Sequence, residues 1–511
     1  MNMLNKGRWT MRFVGLAAAM LATAAGAQQT KVTIDSGAVQ GAQADATLVF
    51  KGIPYAAPPV GPMRWRPPVR PAAWKGVRDA TRYGAACPQG SEHKEPWAQV
   101  GPMSEDCLFL NVWRPAHAGK YPVMVFIHGG GFTYGAAGVP LYDGVRLAAR
   151  GAIIVTINYR LGRLGFFAHP ALTRENPDGE LGNYAVMDQV AALQWVKRNI
   201  AKFGGDADNV TVFGESAGAG SVQILMGSPV SKGLFHKAIS ESGAGSSPLF
   251  PIRGGAINAE MLGTLWAASL GLKNATAEQL RAIPLAEVVK NGRAFPFIDG
   301  KVVAHSPGEP FYRNAEMQIP LIIGGNSNES SLGGMTEDAA KALLGKDFPA
   351  LLQSYVALTG KPEAIAAVDL AEDAGFVLPS FALADQHAAA GNKTFVYYFD
   401  QVPVDQRAAA AGTDHGGELE YVFGTKAVEH RWDAQDAAVS KMMGDYWVRF
   451  ARTGDPNGGG SPRWPAVTAP PTTYLAVGAK TEAMRLQPIR ERAKAAAMTD
   501  ARKKWAAMPQ P

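Results

Sequence analysis

Val210-Thr211-Val212-Phe213-Gly214-Glu215-Ser216-Ala217-Gly218-Ala219-Gly220 is the stretch on which the reading of the fold turns. Its first four residues make a short β-branched and aromatic run suited to a buried strand, and from Ala217 small and apolar residues suit a helix. Between them lies Gly-x-Ser-x-Gly. Alone that pattern is weak, because glycine and serine are common. Bracketed by a strand and a helix it becomes a sharp turn that lifts the Ser216 hydroxyl above a sheet, at the positive end of a helix. Glycines at 214 and 218 relieve the crowding such a turn creates.

Outward from this turn the chain alternates strands with helices. Pro122–Ile127 and Ala152–Ile157 read as buried strands, and Ile239, Leu321–Ile323 and Phe395–Tyr398 mark others. Val186, Val190, Leu193, Val196 and Ile200 recur at helical steps. Such alternation predicts an α/β fold with a mostly parallel central sheet and helices on both faces. Before residue 120 the chain is richer in Pro and Gly, which suits an antiparallel edge and surface loops. A cap or subdomain is expected to be inserted after Ser242.

His128-Gly129-Gly130-Gly131-Phe132 follows the strand 122–127. Consecutive glycines let backbone N–H groups point at one spot without side chains in the way, as an oxyanion hole requires. The expected donors are the amides of Gly130, Gly131 and Ala217. A serine hydroxyl also needs a base beside it. In the chain order serine, acid, histidine that accompanies this turn, His415 is the candidate base, on a glycine-flanked loop after the strand 395–398, with His430 the runner-up. Glu329 ends the Gly-rich run 324–329 that follows the strand 321–323 and is the candidate acid. Asp299 and Asp414 are the alternatives.

The 511 residues are 47% apolar and 18% charged, a globular composition. The first 27 read as a signal peptide. Lys6, Arg8 and Arg12 form a positive region, Phe13–Ala25 an apolar one, and Ala25-Gly26-Ala27 a cleavage site. The alternative, an uncleaved anchor, calls for ~20 apolar residues, and no later segment reads as a membrane span. The mature protein, 28–511, is therefore expected to be exported, periplasmic or extracellular, and not inserted in a membrane. The formal charge of +6 owes much to this leader and to residues 480–511, where eight Lys/Arg face three Asp/Glu. That basic tail is expected to form a solvated helix, and nothing in the body has a nucleic-acid footprint. Cys87 and Cys107 should pair in an oxidising compartment. No Cys/His cluster has metal-ligand spacing, and no metal or cofactor is expected.

Further motifs complete the pattern: Phe50-Lys51-Gly52-Ile53-Pro54-Tyr55-Ala56, Ser104-Glu105-Asp106-Cys107-Leu108, Asn158-Tyr159-Arg160-Leu161-Gly162, Asp188-Gln189, Phe203-Gly204-Gly205-Asp206 and Gly454-Asp455-Pro456-Asn457. With the turn itself they make residues 32 to 465 resemble the type-B carboxylesterase/cholinesterase family. The resemblance implies a single α/β-hydrolase domain that hydrolyses small-molecule carboxylic esters through an acyl-enzyme on Ser216, with Glu329 and His415 completing the triad. It also implies a Cys87–Cys107 disulfide, a buried Glu105–Arg160 ion pair, and supporting roles for Glu215, Ser242 and Glu418 around the triad. Trp97, inside the disulfide loop, and Phe132 are candidate substrate-binding residues; a cationic choline ester is one ligand such a tryptophan would take. Tyr184 and Ala185 depart from the family pattern in a region of packing. A catalytically inactive adhesion or scaffold protein, and a peptidase or amidase, are the competing functions.

Overall fold

The computed structural model describes residues 30–90, 99–175, 182–290, 292–425 and 430–507. The leader and Trp97 lie outside them. Among the described residues the strands are β1 (Lys31–Ile34), β2 (Gly37–Gln40), β3 (Ala42–Ala44), β4 (Thr47–Pro54), β5 (Val77–Asp79), β6 (Phe109–Pro115), β7 (Tyr121–Ile127), β8 (Ile153–Ile157), β9 (Gly205–Glu215), β10 (Lys237–Glu241), β11 (Leu321–Asn326), β12 (Thr394–Phe399), β13 (Thr473–Val477) and β14 (Glu482–Arg485). Eleven form one sheet in the order β14-β13-β12-β11-β10-β9-β7-β8-β6-β4-β3, and β1, β2 and β5 form a smaller one. From β8 to β13 every neighbouring pair is parallel. The edges β6, β4, β3 and β14 are antiparallel.

Parallel neighbours need crossovers, and helices supply them: Tyr184–Asn199 before β9, Ala217–Gly227 before β10, Leu378–Ala389 before β12 and Ala434–Thr453 before β13. Both sheet faces are therefore covered, which is why the central strands are apolar throughout. Val123, Val125 and Ile127 of β7 enter the core on one face. Met124 and Phe126 enter the other. The helix 434–453 begins where Asp433 accepts from the Asp436 amide at 2.9 Å and ends at Gly454, whose φ of 75° stops it.

The expected insertion after Ser242 is present: helices Ala259–Ser269, Ala277–Arg281, Leu285–Val289 and Glu309–Arg313 lie between β10 and β11. A second helical insertion, 337–377, lies between β11 and β12 and runs straight into the crossover helix Leu378–Ala389. Cys87 and Cys107 are joined in a disulfide. Closing that loop contributes about 3 kcal/mol in the chain-entropy model. No helix of the described residues is long and apolar enough to cross a membrane.

Two expectations are corrected. Glu105 and Arg160 do not pair. Arg64 takes both oxygens of Glu105, at 2.5 and 2.7 Å, while Arg160 takes both of Asp188, at 2.8 Å each. A guanidinium fork matches one carboxylate face to face, so each arginine binds the acid that its backbone position faces squarely. The basic tail is not merely a solvated helix either. Pro488–Ala507 buries Ala493, Lys494, Ala497, Met498, Ala501 and Trp505. Two of its cations point inward, Arg490 onto Asp373 and Lys494 onto Asp385.

Candidate active site

β9 ends in a sharp turn at Ser216, whose φ of 56° and ψ of −120° are unusual for a residue with a side chain. Packing enforces that shape. A Cβ on Gly214 would lie 2.6 Å from the Ile127 carbonyl oxygen, and one on Gly218 only 2.0 Å from it. β7 and the elbow helix (Ala217–Gly227) therefore close on the turn with no room for a methyl group. The Ser216 amide donates to the Glu241 carbonyl at 2.8 Å, tying the turn to β10. Ala217 opens the helix, so its N–H has no partner inside that helix.

The glycine loop after β7 lies against this turn. A Cβ on Gly129 would come within 3.1 Å of Ser216 Cβ. Gly130, Gly131 and Phe132 all have positive φ, of 95°, 56° and 60°. A side chain on Gly130 would strike the Tyr134 carbonyl oxygen at 2.1 Å. Among the described residues none of the amides of Gly130, Gly131 and Ala217 donates a backbone hydrogen bond. His128 anchors the loop: its ring stacks on Tyr159 at 4.4 Å and its Nδ1 meets the Gly129 carbonyl at 2.9 Å. A carbonyl only accepts, so Nδ1 carries the proton. Burial pushes this imidazole down to about 4, which keeps it neutral. Phe132 sets its ring edge-on against Phe166 at 5.3 Å and faces the elbow helix.

Glu329 and His415 come from segments 86 residues apart and meet through Glu329 Oε2 and His415 Nδ1. The other oxygen of Glu329 accepts from Ser242 Oγ at 2.7 Å and from the Asn326 amide at 2.8 Å. Three donors thus fix the carboxylate. His415 donates its backbone N–H to Ser331 Oγ at 2.8 Å. Its Nε2 faces Glu215 Oε1 at 3.0 Å, and neither atom has a well-aligned hydrogen-bond partner. The other candidates go elsewhere. Asp414 is exposed and bonds Asn328. Asp299 accepts the amides of residues 301–303 in a turn, and His430 meets Gln406 and Glu420.

A strained serine on a strand-to-helix turn, a glycine loop beside it and a carboxylate-bound imidazole are the parts of a serine hydrolase. A model of the carboxylesterase family matches residues 28–355 and 349–496 of this chain. The chain belongs to the carboxylesterase family. It is 37% identical over 456 residues to the fumonisin B1 esterase of Sphingopyxis macrogoltabida, covering 84% of this chain and 83% of that protein. To the cocaine esterase of Homo sapiens it is 35% identical over 503 residues, covering 88% of each. Among solved structures, a PNB esterase aligns with a TM-score of 0.79 and 31% identity, over 93% of this chain and 99% of that one. This carboxylesterase is an enzyme of the serine-hydrolase type acting on small-molecule esters, which sets aside the inactive scaffold.

Around the imidazole of this carboxylesterase lies a layer of buried acids. Burial pushes Glu215 up to about 7, and His415 pulls it back. Glu418 accepts from Asn326 Nδ2 at 2.5 Å and is pushed up to about 8, by burial and then by the Glu215 charge. Glu241 accepts from Trp447 Nε1 at 2.5 Å, and burial raises it well above the carboxylate range. Burial pulls His415 down, but the charges of Glu215 and Glu329 outweigh it and bring the imidazole up to about 9. Glu215 and Ser242 thus contact the Glu329–His415 pair, and Glu418 reaches it through Asn326. Sequence reasoning does not reach Asn326, Ser331, Glu241 or Phe376. Asn326 sits in the same Gly-rich run as Glu329, which is a usable signal. Phe376 has none, since only the packing of the second insertion brings it to His415.

Proposed function

We propose that this carboxylesterase cleaves carboxylic esters through an acyl-enzyme on Ser216. The Ser216 oxygen attacks the ester carbonyl carbon while His415 Nε2 takes the hydroxyl proton. The amides of Gly130, Gly131 and Ala217 receive the resulting oxyanion. Glu329 holds the tautomer with Nδ1 protonated and stabilises the imidazolium. Collapse of the tetrahedral intermediate breaks the acyl–oxygen bond, and His415 returns its proton to the departing alcohol. Water then gives a proton to His415 and attacks the acyl carbon; the acyl–Oγ bond breaks, the acid leaves and His415 returns that proton to Ser216 Oγ. The observation that carries this reading is the Glu329–His415 contact at Nδ1, which turns Nε2 toward Glu215, the neighbour of the strained Ser216.

Nitrophenyl esters from acetate to palmitate, run on wild type and Ser216→Ala, test it. The variant should lose about 10⁴- to 10⁶-fold in kcat. A variant keeping more than about a tenth of the rate would end the mechanism. The chain length at which activity peaks reads out the depth of the acyl pocket, and an anilide run in parallel separates esterase from amidase. We also infer export with cleavage after Ala27, supported by the leader's charge and apolar pattern and by the Cys87–Cys107 disulfide. A mature N-terminus other than Gln28 in protein from periplasm or medium would refute it.

A further inference from the structure

Residues 363–389 form a helical run interrupted by one wider turn. Glu363–Glu372 is α-helical, Asp373–Val377 is a π-turn and Leu378–Ala389 is α-helical again. The Leu378 amide reaches back five residues to the Asp373 carbonyl. Pro379 explains the position of this turn. Proline cannot donate to the carbonyl four residues before it, at Gly375, and its ring crowds that oxygen. Ser380 Oγ instead donates to the Phe376 carbonyl at 3.1 Å, bracing the displaced segment.

Glu372 and three residues of this turn are tied to different structures. Glu372, just before it, accepts from the Ser330 amide, next to the acid Glu329. Asp373 accepts from Tyr355 at 2.5 Å and from Arg490 Nε at 2.7 Å, so the C-terminal helix clamps the turn. Val377 lies 3.6 Å from where a Cβ on Gly325 of β11 would stand. Phe376 presents its ring to His415, centroids 5.4 Å apart and planes at 69°.

The imidazole has one polar neighbour at each nitrogen, Glu329 at Nδ1 and Glu215 at Nε2. The imidazole is bonded through Cγ, so the motion left to it is rotation about the Cβ–Cγ bond, which two polar contacts in the ring plane restrain only as far as their angles allow. That rotation decides where the Nε2 lone pair points. An edge-to-face aromatic neighbour closes it, because such a pair has a preferred plane angle.

We propose that Phe376 is a positioning residue for the base: carried on the π-turn and clamped by Asp373, it sets the ring plane of His415 so that Nε2 can serve Ser216. The proposal rests on the reading of His415 as the base. It goes beyond the triad in assigning the second insertion and the C-terminal helix a part in the chemistry.

The experiment compares Phe376→Ala, Phe376→Leu and Phe376→Tyr in the full mature protein. Two readouts are taken: ester kinetics, and the far-downfield proton resonance of His415 Nδ1–H without substrate. Phe376→Ala and Phe376→Leu should lose about 10- to 100-fold in kcat with KM within about threefold of wild type, and the resonance should broaden. Phe376→Tyr should restore both. A folded Phe376→Ala with wild-type kcat, a change in KM alone, or a sharp unchanged resonance would overturn the proposal. If Phe376→Ala does not fold, the same results in Phe376→Leu support or overturn it. A wild type that shows the resonance, loses it in Phe376→Ala and hydrolyses no ester would overturn the reaction and support the placement.

Discussion

The two halves of the active site are built in opposite ways. The nucleophile half is local: the strand, the strained turn and the helix all lie within Gly205–Gly227, and a single further loop, 128–132, completes it. The base half is assembled from Ser242, Glu329, Phe376 and His415, four segments far apart in the chain, one of them inside the second insertion. One half is specified by where a methyl group cannot fit. The other is specified by which distant surfaces pack together. The insertions can therefore differ while the turn stays fixed, provided the acid–histidine pair is still delivered to the same point.

Removing either half should be equally damaging, because the triad acts as a unit. His415→Ala should lose about 10⁴- to 10⁶-fold in kcat, matching Ser216→Ala, with the double variant little worse than either. Additive losses in that cycle would show that the halves work independently. The next effect separates them by stability. Gly218→Ala drives a methyl group into the Ile127 carbonyl oxygen, where it would stand at 2.0 Å. A stability loss of about 1–3 kcal/mol is expected in chemical denaturation, together with loss of activity. His415→Ala, which overpacks nothing, should cost activity without that penalty. A Gly218→Ala protein as stable as wild type would mean that the turn is not held by close packing.

A smaller effect probes the contact between the halves, where Glu215 of the turn faces His415. Its charge helps raise the imidazole to about 9, so nearly all of the base is protonated at neutral pH. Glu215→Gln keeps the shape and removes the charge. The acid limb of the kcat/KM profile should move to lower pH, while the plateau falls by less than about tenfold. A limb that stays in place would mean that the working base does not feel Glu215.

Legibility in the sequence follows the same division. The strand expected over 122–127 is found as Tyr121–Ile127 and the helical spacing at 186–200 as Tyr184–Asn199, because periodicity reports burial directly. The turn is legible because its steric demand is written in adjacent residues. Glu329 and His415 are reached from the chain order of the motif and then from the resemblance; geometry alone separates them from Asp299, Asp414 and His430. Pairing of charges is the weakest inference. Glu105 and Arg160 sit close in a family pattern, yet Arg64 and Asp188 offer better-aligned forks. The tail misleads for a related reason: a charge count treats Arg490 and Lys494 as solvated, and only the tertiary fold reveals Asp373 and Asp385 waiting for them.

The smallest predicted effect is a slope of stability against pH, and its sign follows from the buried acids. Glu215, Glu372, Glu418 and Glu420 are raised by burial to between about 7 and about 8. An unfolded glutamate titrates near 4.3, so between roughly pH 4.3 and 8 the folded protein holds protons that the unfolded chain has released. Stability must fall as pH rises through that window. His415 adds the same sign: raised to about 9, its contribution is complete below the unfolded histidine value and is lost as pH climbs through 9. Histidines 128, 169 and 236 are depressed by burial and act the other way, but only below the unfolded histidine value, so they drop out above neutrality. Urea melts at about pH 7 and about pH 8.5 should therefore show lower stability at the higher value, and Glu418→Gln, neutral at both, should flatten the difference. The same acids that keep the base half rich in protons thus set activity and stability in opposition, activity rising and stability falling over one pH range. A stability that does not fall across that range would mean that the carboxylates around His415 are already ionised in the folded enzyme at neutral pH.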